Sequence, residues 1–78
     1  MTFLTRPRAP LYQARLQARA FDTWRDAELL VQLRWDTFIE ADRASRPGMF
    51  AAYVAALDAE AAAAGELAHA HSDLAEAA

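Results

Sequence analysis

The chain has 78 residues, with eleven acids, eight arginines, no lysine, no cysteine and a net charge of −3. That length allows one domain, residues 1–78. It excludes disulfides, thiolate metal sites and cysteine nucleophiles, and the acidic balance excludes a bulk polycation. Alanine supplies 21 residues and leaves 22 larger hydrophobic ones. Core-forming material is therefore thin, in a size class that buries only roughly 60% of its unfolded surface.

Residues 1–9 read as an irregular arm. Met1 to Leu4 are apolar, but Arg6 and Pro7 interrupt them before the apolar stretch a signal peptide needs. No segment approaches the about 20 apolar residues of a membrane span. The expectation is a soluble chain of the cytoplasm, without a membrane partner.

Between Pro10 and Pro47 nothing breaks a helix, and almost every residue is a good helix former. Valine and isoleucine total three residues, so no strand pattern exists. The first helix is expected over 10–44, with Pro10 tolerated in the first turn. At about 100° per residue, Phe21, Trp24, Ala27, Val31, Trp35, Phe38 and Ile39 share one broad face. Arg25, Asp22, Asp26, Gln32, Asp36, Glu40 and Arg43 lie opposite, with Leu29 and Leu33 as an apolar strip among them.

The second helix is expected over 47–75, capped by Ser45 or Arg46. Phe50, Tyr53, Leu57, Glu60, Ala64, Leu67, His71 and Leu74 form a ladder of alternating three- and four-residue steps. A short loop makes the two helices antiparallel neighbours. Folding at residue 46 sets Phe38 against Val54, Trp35 against Leu57, Val31 against Ala61 and Trp24 against Ala68. Large side chains then meet small ones, as close packing requires. The basic start of the first helix also comes to lie beside the acidic end of the second, and each is poorly charged for its own dipole.

A lone hairpin cannot enclose this aromatic surface. Phe21, Trp24, Trp35, Phe38, Phe50 and Tyr53 would leave one flank wet, at a loss of about 1.5–3 kcal/mol for each large side chain not buried. The expected architecture is all-α: a helical hairpin that dimerises into a four-helix bundle, or docks on another protein. The interface residues are Phe21, Trp24, Leu29, Val31, Leu33, Trp35, Phe38, Phe50, Tyr53 and Leu57.

Chemistry-bearing patterns are few. Glu66 and His69 form a Glu-x-x-His pair which, with Glu28 from the facing helix, resembles in these three positions the iron site of encapsulated-ferritin hairpins. Both side chains point away from the apolar face, and the pair reads as solvated. His69 and His71, two residues apart, face different directions; His71 reads as a packed or half-exposed neutral ring. Glu28 interrupts the aromatic face, and a buried carboxylate there needs a partner. Gln32 or water would serve, or an arginine or tryptophan N–H across a dimer. No nucleophile–base arrangement and no glycine-rich phosphate loop occur, so neither enzyme activity nor a cofactor is expected. Arg6, Arg8, Arg15 and Arg19 are the candidates for a nucleic-acid surface, against neutralisation by Glu66, Asp73 and Glu76. A DNA-reading helix-turn-helix would need shorter helices. The architecture is similar to that of the small secreted hairpins of the WXG100 type, but Ser45-Arg46-Pro47-Gly48 replaces their Trp-x-Gly turn, and no family is assigned. The reading is a non-catalytic interaction module, an adaptor, regulator or structural subunit. A nucleic-acid-linked regulator is the alternative, followed by a metal-binding bundle.

Overall fold

The computed structural model describes residues 8–77. Two helices pack against each other as an antiparallel hairpin: α1 spans Arg8–Glu40 and α2 spans Arg46–Ala77. Among the described residues, neither helix is long and apolar enough to cross a membrane.

The helix bounds differ from expectation. α1 begins at Arg8 rather than Pro10, which keeps the proline within a first turn where its missing N–H costs nothing. It ends at Glu40 instead of Ala44, and α2 runs from Arg46 to Ala77 instead of 47–75. The early stop lies in the chemistry of Asp42. Its carboxylate accepts the Ser45 N–H at 2.8 Å, and its carbonyl accepts the Arg46 N–H at 3.0 Å. Asp42 thus caps the turn that runs on into α2. Ser45 then accepts the Met49 N–H at 3.0 Å, the first bond of α2 proper. On the other side, Ala41 closes the last turn of α1 by donating to the Phe38 carbonyl, and the Arg46 guanidinium donates to the Ala41 carbonyl at 3.3 Å.

Moving the bend toward the N-terminus shifts the register by one helical turn. Phe38 packs on Phe50 rather than Val54, with ring centroids 5.4 Å apart. Trp35 packs on Tyr53 rather than Leu57, at 5.1 Å. Gln17 meets His71 at the open end. Trp24 does not reach Ala68; its indole N–H donates to Glu60 at 3.3 Å.

The seam also lies on a different stripe of α2. Tyr53, Leu57, Glu60, Ala64, Leu67 and Leu74 are half-buried as the ladder expects, but Phe50 and His71 are exposed, and the deepest burial falls one position aside on Ala56 and Ala63, flanked by half-buried Met49 and Ala70. Ala56 and Ala63, 4% and 7% exposed, are the buried hydrophobic residues among those described. The facing stripe of α1 is Gln17, Ala20, Trp24, Ala27, Val31 and Phe38, all half-buried. Methyl-sized residues at the axis let two helix backbones approach closely and gain dispersion contacts along their length. Phenylalanine and leucine at the same places would hold the helices apart.

Candidate functional site

Rotating the seam by one position leaves the larger side chains beside it. On one flank of the hairpin α1 contributes Ala14, Phe21, Glu28 and Trp35, one heptad apart, and α2 contributes Phe50, Leu57, Ala64 and His71 at the matching spacing. By this spacing they share one flank of the rod, which forms a shallow groove at the end away from the turn. At its open end the groove is bounded by Ala14, Ala18, Phe21, Leu67, Ala68 and His71. Near the turn the flank carries an aromatic cluster: Trp35 lies 5.6 Å from Phe38 and 5.1 Å from Tyr53, and Phe50 lies 6.4 Å from Tyr53. All these pairs are tilted, the geometry in which ring edges meet ring faces favourably.

The groove is open to solvent. Trp35 remains 40% exposed and Phe50 49%, and Phe21 is exposed as well. Trp24, Val31, Phe38, Tyr53 and Leu57 are half-buried. Of the ten expected interface residues, eight therefore lie in the seam or along this groove. Leu29 and Leu33 do not; they sit on the outer side of α1, and Leu29 is 66% exposed. Leu11, Tyr12 and Ile39 are exposed too.

Polar residues punctuate the groove. Glu28 does not bond to Gln32 or to a tryptophan. It pairs with Arg25 at 3.9 Å, one turn back on the same helix, and Gln32 instead donates to Asp36. The Arg25 guanidinium also lies 5.8 Å from the Phe21 ring, within cation–π range. Glu60 is the carboxylate that takes the tryptophan N–H. Its place in an a/d ladder was the signal for a seam residue, but the partner was hidden by the register. His71 stands at the open end in contact with the Gln17 side-chain amide.

The three residues resembling an iron site are not brought together. His69 pairs with Asp73 at 3.5 Å within α2, and Glu66 and His69 border the opposite flank with Gln13, Leu16 and Ala20. Glu28 is occupied by Arg25 on the groove side. No group of three metal-binding side chains gathers among the described residues.

Arg15 and Arg19 are exposed, and among the described residues neither forms an ion pair. The expected neutralisation by Glu66, Asp73 and Glu76 is not made by direct contact; the ion pairs present join neighbours on one helix. Arg15 and Arg19 point outward from the seam, too far round α1 to meet acids on α2. Arg6 and the Arg8 side chain lie outside the described residues.

No family model matches the chain, and comparison with curated proteins and with solved structures finds no similar one.

Proposed function

We propose that the chain is a non-catalytic protein–protein interaction module of the cytoplasm, serving as an adaptor, regulator or structural subunit. Its aromatic groove is the binding surface, and pairing of two hairpins through it gives a homodimeric four-helix bundle. One observation carries this reading. Among the described residues, those that the hairpin buries are two alanines, whereas Trp35, Phe50 and Phe21 lie along one flank and stay exposed. A side chain of that size stabilises a protein by about 1.5–3 kcal/mol only when it leaves water, and aromatic anchors are the residues that dominate protein interfaces.

Mass-resolved size determination, with thermal melts over a hundredfold dilution, tests the reading. A dimer mass and a melting temperature that falls on dilution are expected. A monomer with a concentration-independent melt, which also retains no protein from its own cell extract, would overturn it.

A nucleic-acid-linked regulator is favoured by one observation, the exposed Arg15 and Arg19, which form no ion pair among the described residues. Its mark would be retention on heparin at about 0.15 M salt, where isolated surface charges are screened beyond about 8 Å. Loss of that retention in an Arg15→Ala, Arg19→Ala variant with an unchanged melt would put this reading in first place.

A further inference from the structure

We propose that the occupant of the aromatic groove is a second copy of this hairpin lying end-reversed, so that the two turns stand at opposite ends of the bundle. This rests on reading the groove as the surface through which two hairpins pair, and adds the direction in which the second copy lies.

The area fits a second copy. α1 and α2 run 33 and 32 residues, about 50 Å at 1.5 Å per residue. Two such helices about 8–10 Å apart present a face on the order of the 800 Å² per partner that a standard interface removes. A second rod of the same length covers the groove from end to end.

Two arrangements place one hairpin flat on another. With the two-fold axis along the rod, both turns share one end and α1 lies on the partner's α2. With the axis across the rod, the turns are at opposite ends and α1 lies antiparallel on the partner's α1. Charge separates them. Residues 26–62, the turn half, carry seven acids and three arginines, while residues 8–25 and 63–77, the open half, carry four of each. Turns at one end stack two acidic halves. Reversal lays each acidic half on a neutral one that contains the exposed Arg15 and Arg19.

The middle of the groove discriminates further. The pairs Gln17–His71 and Trp35–Tyr53 put Glu28 level with Glu60 on the facing helix. With turns at one end, Glu28 faces Glu60 of the partner subunit, and four carboxylates crowd one level of a partly desolvated seam, which is costly. In the reversed arrangement a two-fold passing between Asp26 and Ala27 sets Glu28 level with the partner's Arg25, and Arg25 level with the partner's Glu28. The Arg25–Glu28 pair seen within one helix becomes a four-membered network of alternating sign. Glu60 then lies level with alanines.

The chain has no cysteine, so single spin labels can be placed at Ala44→Cys in the turn and at Asp26→Cys near mid-rod. The Asp26 label reads a short intermolecular distance, under about 35 Å, in either arrangement, and so reports the dimer itself. From the helical rise of about 1.5 Å per residue, the turn labels should be separated by about 50 Å in the reversed dimer, against under about 20 Å with turns together. A long turn distance with a short mid-rod distance supports the proposal. Short distances at both positions overturn the end-reversal and leave the groove a homodimer interface. No intermolecular distance at either position, with a monomer mass, overturns the second copy as occupant; the groove as a protein-binding surface then stands or falls with capture of a different partner. Charge reversal gives an independent readout. Glu28→Arg should weaken the reversed dimer roughly five- to tenfold, and the Arg25→Glu, Glu28→Arg exchange should restore it. A dimer tightened by Glu28→Arg alone would instead mark turns together.

Discussion

Trp24 donates its indole N–H to the Glu60 carboxylate across the seam at 3.3 Å, the one polar bond that ties the middles of the two helices. Both side chains are half-buried, so each shields the other's polar atoms from incomplete solvation. Glu60→Ala should leave the indole N–H short of a partner and cost about 1 kcal/mol. Glu60→Gln keeps an acceptor and should recover most of that loss. Chemical denaturation of the two variants measures the difference, and equal losses would mean that the bond is idle.

The alanine seam makes a sharp contrast between neighbours. Ala63 is buried against α1, while Ala61 is exposed. Ala63→Leu should overpack the closest approach of the helices and cost about 1–3 kcal/mol. Ala61→Leu should change stability by no more than about 0.5 kcal/mol. Melts of the two variants at low protein concentration, where dimer contacts do not contribute, decide it; the reverse order would restore the stripe containing Phe50, Leu57 and Ala64 as the seam.

Trp35 should report on the groove through concentration. In a single hairpin it keeps contacts with Phe38 and Tyr53 but remains partly in water. Trp35→Ala should then cost about 1–2 kcal/mol in dilute protein, less than the about 3–5 kcal/mol of a fully buried aromatic. At high concentration the loss should approach the larger figure as the groove becomes covered. A loss independent of concentration would place Trp35 outside any interface.

Asp42 gives the turn a pH dependence. The Ser45 backbone N–H, then the Ser45 hydroxyl and the Ala44 N–H, hold its carboxyl below the ordinary value of 3.8. A carboxylate whose folded pKa is depressed adds stability above its unfolded value, and that stability is lost as pH falls through the folded one. The difference in melting temperature between the native chain and Asp42→Ala should therefore be constant above about pH 5 and shrink in the acid range below 3.8. Asp42→Asn, which keeps a capping oxygen without the charge, should show much less of this pH dependence. A difference that persists unchanged to pH 2 would assign the effect to backbone propensity alone.

Composition and periodicity were sufficient for the two helices, their antiparallel pairing and the apolar identity of the groove. Helix formation rests on local terms, and no β-branched run or internal proline competes with it between Pro10 and Pro47. Phe50, Leu57 and His71 were legible as one edge of an apolar face because a helical period is enough to place them there. What the period could not decide was which edge becomes the axis. The stripe through Phe50, Leu57, Ala64 and His71 and that through Met49, Ala56, Ala63 and Ala70 differ by a single position, and hydrophobicity favours the first. Close packing favours the second, since alanines let the backbones approach, and this gain exists only once both helices are present. The register was likewise outside the period's reach. Asp42 is a weak helix former whose carboxylate caps toward Ser45; the chain bends early, and the facing aromatic pairs move by one turn. The register brought Trp24 to Glu60, a pair that only tertiary geometry makes, whereas Arg25–Glu28 is a local i,i+3 pair within α1 that needs no tertiary contact.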